Sequence, residues 1–141
     1  MIAEPATVTV ARVDGNGTWV VALEGEHDAF AVPLLEERTA AVWPTCSLAL
    51  VDLTAATFVD AAVIRWLLRS RAAAVTASMA VVVRPECVAS RVLDLAGAHD
   101  VLDCYPSRAA ARLGSWDGML APSPRSSTPA PSGSTGDQSP A

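Results

Sequence analysis

The chain has 141 residues, 51% of them hydrophobic, and a formal net charge of −5, with ten arginines and no lysine. This length holds one domain and at most an appendage, and the apolar content is sufficient for a hydrophobic core. Because the net charge is negative and the arginines are scattered, the composition argues against nucleic acid as a partner.

The sequence also argues against a membrane protein or a metal protein. No apolar run approaches the roughly 18–20 residues that a membrane helix needs, and residues 1–5 lack the basic and then apolar pattern of a signal peptide. We therefore expect a cytoplasmic protein without membrane insertion. His27 and His99 have no Cys or His at metal-ligand spacing, which predicts neither a metal nor another cofactor. The three cysteines form no CxxC pair and are expected to be small core residues in a reducing compartment.

Hydrophobic periodicity and turn residues predict nine elements in the order β-β-α-β-α-β-α-β-α. Two alternating stretches flank the Gly/Asn-rich residues 14–17, which is typical of an antiparallel hairpin. Apolar strands and amphipathic helices then alternate, which implies parallel crossovers. The predicted strands cover residues 8–13, 19–23, 47–53, 78–83 and 101–105, and the predicted helices begin near Asp28, Ala61, Pro85 and Ser107. The expected fold is an α/β sandwich, a mixed sheet of about five strands covered by about four helices.

Helical spacing predicts which side chains face the core. The expected inward residues are Leu34, Leu35 and Val42 in the first helix, Ile64, Leu67, Leu68 and Ala74 or Val75 in the second, and Val88, Val92 and Leu95 in the third. The last helix is expected over residues 107–113. Residues 114–141 are rich in Pro, Ser and Gly, and we predict a disordered tail after a domain at residues 6–113.

The candidate functional site lies in the stretch from Leu50 to Leu68. It is predicted to be a buried strand, then a short loop containing Thr54 and Thr57, and then a helix. Asp60 stands at the N-cap position, where its carboxylate can accept hydrogen bonds from the first helical N–H groups. A strand that enters a helix in this way presents backbone N–H groups and side chains outward at one place.

With the elements placed, the chain resembles the STAS domain family, and within it the anti-sigma factor antagonists. The resemblance covers roughly residues 6–113 and rests on five patches in the right order. These are L-E-G-E-H-D at 23–28, D-L at 52–53 with F-V-D at 58–60, Leu67–Leu68, V-L-D-L-A-G at 92–97, and Y-P-S at 105–107 with the alanines 109–111.

The resemblance implies a protein that docks on a kinase-type anti-sigma factor and so regulates transcription by partner switching. In the family, the kinase phosphorylates a serine directly after the aspartate that corresponds to Asp60. This chain has Ala61 at that position, followed by Ala62, so it is not expected to be phosphorylated there. The family's motif does not assign the acceptor role to Thr54 or Thr57. The expected partner-binding residues are Asp28, Thr57, Asp60, Ala61, Ala62, Val63, Arg65 and Trp66.

Two other interpretations stay open from the sequence. The chain could be a degenerate STAS interaction module, for example a subunit of a lipid-type ABC transporter complex, because Val63, Arg65 and Trp66 are bulky where a docked kinase would approach closely. A homodimer is also compatible with the sequence. Catalysis is not expected, because the carboxylates at strand ends and caps have no His, Cys, Ser or Lys paired with them at recognisable spacing.

Overall fold

Five strands and four helices alternate in the part of the chain that the computed structural model describes, which is residues 5–74 and 77–120, with side chains up to residue 114. The strands are β1 (Thr7–Arg12), β2 (Thr18–His27), β3 (Leu48–Val59), β4 (Ser78–Val82) and β5 (Asp103–Tyr105). The helices are α1 (Val32–Thr39), α2 (Ala61–Ala73), α3 (Val88–Leu95) and α4 (Arg108–Leu120), and short 3-10 turns occupy Ala29–Ala31 and Ala98–Asp100. The predicted element order and the α/β class are confirmed.

The strands form one mixed sheet in the order β1-β2-β3-β4-β5. The β1–β2 pair is antiparallel and the other three pairs are parallel. In the hairpin turn, the Asp14 carboxylate accepts hydrogen bonds from the N–H groups of Asn16 and Thr18 at 2.9 and 3.2 Å. Gly17 adopts φ +86°, a left-handed conformation that favours glycine. These contacts explain why the Gly/Asn-rich residues reverse the chain there.

The helices divide unequally between the two faces of the sheet. Helices α1, α2 and α3 pack on one face, where Leu35, Leu67 and Leu93 join the main core. Helix α4 packs on the other face, where Ala111 meets Leu50 and Val82. Because helices cover both faces of the central strand β3, its residues 49–53 are all buried, as expected for a nearly continuous apolar run.

Two arginines fix α4 to the sheet. Arg108 Nε lies 2.6 Å from a carboxylate oxygen of Asp52 on β3, and Arg112 Nη2 lies 2.7 Å from one of Asp14 in the β1–β2 turn. Residues four apart share one helical face, so both arginines project from the same side of α4. The helix is therefore tied to the sheet at two separate places.

Some element boundaries differ from the predicted ones. Strands β2 and β3 are several residues longer than expected, and α4 continues to Leu120 instead of ending at Leu113. Residues 121–141, most of the predicted tail, lie outside the described residues, as does Val75. Within the described part of the chain, no helix combines the length and apolar character needed to cross a membrane.

The predicted core face of α3 is right only in part: Val92 packs against the main core, but Val88 and Leu95 do not. Ala89 and Leu93 are buried, whereas Val88 and Leu95 are exposed, Leu95 to 89%. The helix begins after Cys87, whose half-buried sulfur accepts a hydrogen bond from the Ser90 N–H at 3.4 Å. Pro85 lies in the turn before the helix and not at its first position. The helix thus carries two apolar stripes that are one residue apart. The stripe that contains Ala89 and Leu93 is the one that faces the sheet.

Trp66 gives a direct test of the main core. Its side chain is 2% exposed, and its ring centroid lies 6.4 Å from that of Trp43. We expect Trp66→Ala to lower the free energy of unfolding by about 3–5 kcal/mol, because it removes a large buried ring and leaves a cavity. Urea denaturation followed by circular dichroism measures the change. The control is Arg65→Ala, on the exposed side of the same helix, for which a change within about 0.5 kcal/mol is expected.

Candidate partner-docking site

The carboxyl ends of β2 and β3 form the base of the site. Glu26 is in register with Phe58, and His27 with Val59, so the two parallel strands end side by side. The pairing shifts register between Ala22 and Glu24 and again between Gly25 and Glu26, and Thr57 is skipped at the second shift. The predicted loop over residues 54–59 is therefore an irregular continuation of β3. As a result, the connections β2–α1 and β3–α2 leave the sheet at the same place.

Asp60 ties these two connections together. Its backbone is extended, with φ −103° and ψ −179°, as an N-cap requires. One carboxylate oxygen accepts hydrogen bonds from the N–H groups of Ala62 and Val63 at 2.9 and 3.4 Å. The other oxygen accepts from the Ala29 N–H at 3.1 Å, across to the β2–α1 connection. The cap on α2 agrees with the sequence prediction, but the bond to Ala29 was not predicted.

Asp28 caps the 3-10 turn that follows β2. Its carboxylate accepts a hydrogen bond from the Phe30 N–H at 2.9 Å, and its carbonyl accepts one from the Ala31 N–H at 3.0 Å. The Asp60 N–H in turn donates to the His27 carbonyl at 3.2 Å. The turn is thus held at both ends by backbone groups and by two carboxylates, which leaves it little freedom.

The two phenylalanines of the chain both lie exposed at this site. Phe30 is 93% exposed on the 3-10 turn, and Phe58 is 41% exposed at the end of β3. Sequence reasoning missed Phe30 entirely, and it used Phe58 only as part of a motif. The available signal was a large aromatic residue two positions after a capping aspartate, outside the inward positions of α1. Exposed aromatic residues on a rigid turn are typical anchors of protein interfaces.

The predicted site residues divide into exposed and buried groups. Thr57, Ala61 and Arg65 are exposed together with Asp28, whereas Asp60 and Ala62 are half-buried. Val63 is fully buried, and so is Trp66, because both face the sheet on the inner side of α2. Their side chains therefore cannot contact a partner directly, and the expectation that these two residues line the docking surface is corrected. They support the helix from beneath.

The two threonines that precede Asp60 have different surroundings. The Thr54 hydroxyl donates a hydrogen bond to the Asp52 carboxylate at 2.7 Å, and the Thr54 N–H donates to the same oxygen at 2.8 Å. Thr57 is exposed at the position where the pairing of β2 and β3 skips a residue. Thr54 therefore orders the middle of β3 with Asp52, and Thr57 faces solvent nearer the end of the strand.

Asp52 connects this edge of the sheet to α4. Burial raises the pKa of its carboxyl, but hydrogen bonds from Thr54 and Arg108, together with the positive charge of Arg108, outweigh burial and leave the pKa below its ordinary value. The Asp52 side chain is 7% exposed and that of Arg108 is 50% exposed. In the sequence, Asp52 was used only as part of a motif, and its ion pair with Arg108, 56 positions later, was not foreseen. Within the described residues, no group of three or more His, Cys, Asp or Glu side chains could hold a metal ion.

Comparison with known proteins places this geometry in a family. The family model that describes the STAS domain matches residues 8–111. This chain belongs to the STAS domain family. The match spans the whole sheet, both connections of the docking site and the first turn of α4. No curated protein matches the sequence.

Several solved structures share the fold. An anti-sigma factor antagonist from Mycobacterium paratuberculosis has 23% identity and a TM-score of 0.67, over 79% of this chain and 97% of that one. The unphosphorylated form of the anti-sigma factor antagonist SpoIIAA has 16% identity and a TM-score of 0.63, over 79% and 97%. The phosphorylated form of the Bacillus cell fate determinant SpoIIAA has 16% identity and a TM-score of 0.59, over 76% and 98%. At these identities the likeness shows the fold.

Removal of the Asp60 carboxylate should loosen both connections. We expect Asp60→Ala to lower the free energy of unfolding by about 1–2 kcal/mol, the usual effect of losing a helix N-cap. Amide hydrogen exchange should also become faster at Ala29, whose N–H loses its acceptor. A conservative control is Asp60→Asn, which keeps one side-chain oxygen as an acceptor. Unchanged exchange at Ala29 in Asp60→Ala would contradict the bridging role.

The ion pair of Asp52 predicts a pH dependence of stability. We expect Asp52→Asn to lower the free energy of unfolding at neutral pH by about 2 kcal/mol, because charged hydrogen bonds are lost. Since the folded-state pKa of Asp52 is lowered, its contribution is fully present above the ordinary carboxyl pKa of about 4 and is lost as the pH falls through the folded-state value. Thermal unfolding of both proteins between pH 3 and 7 should therefore show a difference that shrinks in acid. The exposed Asp100→Asn serves as the control.

Proposed function

We propose that the protein is a cytoplasmic anti-sigma factor antagonist that binds a kinase-type anti-sigma factor without being phosphorylated at the usual position. The observation that carries this proposal is Ala61, which is exposed at the first position of α2, directly after the capping Asp60. Family membership supports the general type of protein. The solved structures that share its fold include an anti-sigma factor antagonist from Mycobacterium paratuberculosis and phosphorylated and unphosphorylated forms of SpoIIAA.

The physical basis of the proposal is the charge that a phosphoryl group would bring. Phosphorylation adds about −1.5 to −2 charges, and the N-terminus of α2 would tolerate such an anion through its dipole and free N–H groups. The added charge and bulk would change the surface that a partner contacts. Ala61 and Ala62 have no hydroxyl group, so this change cannot occur at either position. The protein would therefore bind as the unmodified form does, and its abundance would control the complex.

The same observation supports a second candidate function. A STAS module that has lost kinase docking, for example a subunit of a lipid-type ABC transporter complex, would also need no phosphate acceptor at Ala61. The two candidates differ in the partner that the protein binds. Binding to a transporter ATPase subunit, and to no kinase-type anti-sigma factor of the host, would favour the second.

Incubation with the host's kinase-type anti-sigma factors and ATP tests the proposal. Native mass spectrometry should detect a stable complex in which this chain gains no phosphate. The absence of a complex with every such anti-sigma factor would overturn the proposal. A gain of one phosphate would show that another hydroxyl, such as that of Thr57, is the acceptor.

A hydroxyl group at position 61 should make binding to the anti-sigma factor sensitive to phosphorylation. We expect Ala61→Ser to accept one phosphate from the bound kinase and then to dissociate, with affinity lowered at least about tenfold by the new charge. The matched control is Ala55→Ser, which adds a hydroxyl at an exposed position of β3 away from the helix. If Ala61→Ser is not modified although the complex forms, the assignment of this position as the acceptor site is wrong.

A further inference from the structure

We propose that the site recognises a protein partner with an apolar pocket for Phe30, bordered by Arg and Lys side chains. The surface that makes this contact is called the Phe30 surface, and it comprises Phe30, Phe58, Thr57 and Ala61 with the neighbouring carboxylates Glu24, Glu26 and Asp28. The inference deepens the proposed function, on which it rests for the location of the site. It adds the chemistry that selects the partner.

The first step is the position of the Phe30 ring. The side chain is 93% exposed, although the backbone on either side of it is fixed by hydrogen bonds to Asp28 and Asp60. A phenylalanine buries about 150–250 Å² when it enters a pocket. Because the backbone around Phe30 is already ordered, little conformational entropy of this turn is lost when a partner binds the ring. Phe30 is thus a pre-organised anchor.

The second step is the charge around the anchor. Glu24, Glu26 and Asp28 are exposed and alternate with the buried Gly25 and His27, so they lie on one side of the end of β2. Glu26 is in register with Phe58 on the neighbouring strand. Residues 24–30 contain three carboxylates and residues 54–62 contain one, and neither segment contains an arginine. The Phe30 surface therefore combines an exposed aromatic ring with a group of exposed carboxylates on the same end of β2.

The third step uses this charge to select the occupant. A second copy of the chain would bring two acidic surfaces together, and like charges across an interface cost several kcal/mol. An anionic lipid surface would be repelled for the same reason. A protein surface with basic side chains around an apolar pocket satisfies both the ring and the carboxylates. Arg108 is already paired with Asp52, so it does not neutralise these carboxylates, and the exposed Arg65 lies four residues after Ala61 on α2.

A photo-crosslinking experiment tests this inference and captures the partner in the same step. Phe30→p-benzoylphenylalanine is introduced into the full chain, which is irradiated in host cells, and the crosslinked peptides are identified by mass spectrometry. The control is Leu95→p-benzoylphenylalanine, because Leu95 is 89% exposed on α3, away from the site. We expect position 30 to crosslink to a protein surface that combines apolar residues with Arg or Lys, and position 95 not to do so.

The outcomes separate this inference from the proposed function. A crosslink from position 30 to a basic, apolar surface of a protein other than an anti-sigma factor would support the inference and count against the proposed function. A crosslink to an acidic or uncharged surface, to a second copy of this chain or to lipid would overturn the inference. A crosslinking yield at position 30 no higher than the yield at position 95 would also overturn the inference.

Affinity measurements between variants of this chain and the partner that the crosslinking identifies provide the quantitative test. We expect Phe30→Ala to weaken binding by about 30-fold or more, as at an interface hot spot, whereas Phe30→Leu retains more of the affinity and Leu95→Ala has no effect. Glu24 and Glu26 form no ion pair among the described residues. Changing both to Gln should slow association and flatten its dependence on salt. Equal affinities of the wild type and Phe30→Ala would contradict the anchor, provided that both proteins unfold at the same temperature.

Discussion

The Asp60 carboxylate holds together the part of the molecule on which recognition depends. One of its oxygens begins α2 and the other reaches the β2–α1 connection at Ala29. Two chain segments that are 31 positions apart therefore share one acceptor group, and neither can move far without the other. The N-terminus of α2 and the turn that carries Phe30 consequently form one rigid unit. Interfaces built on such units avoid much of the entropic cost of ordering on binding.

Local signals in the sequence predicted the order of the elements and the cap at Asp60, because these depend on neighbouring residues. They could not predict the length of β3. Residues 54–57 are Thr and Ala, which interrupt the apolar run of the strand, but the extended end of β2 provides a paired strand for residues 54–59. Tertiary pairing of this kind overrides weak local preference. The same limit applies to the turn that carries Phe30, because the Ala29 N–H bonds to Asp60, 31 positions later, and no local pattern contains that bond.

Helical periodicity was informative where one apolar stripe dominated and misleading where two competed. In α2, Ile64 and Leu67 face the core as their spacing indicates. The size of Trp66 and its nearness to the site favour a place on the docking surface, yet its ring is buried in the main core, 6.4 Å from the ring of Trp43. In α3, Val88 and Leu95 of the expected stripe are exposed, while the neighbouring Ala89 and Leu93 are buried. The choice between such stripes depends on the shape of the sheet, which the sequence of one helix does not reveal.

The unequal distribution of helices between the two faces of the sheet has a consequence for how the protein folds as it leaves the ribosome. One face of the sheet is completed by α4 alone, whose Ala111 covers residues from β2, β3 and β4. These strands are all synthesised before α4, so Leu50 and Val82 stay open to water until the last helix has left the exit tunnel. Nascent chains with exposed apolar strands attract chaperones and one another. The ion pairs of Arg108 and Arg112 would then form, and close this face of the sheet, only after α4 has emerged.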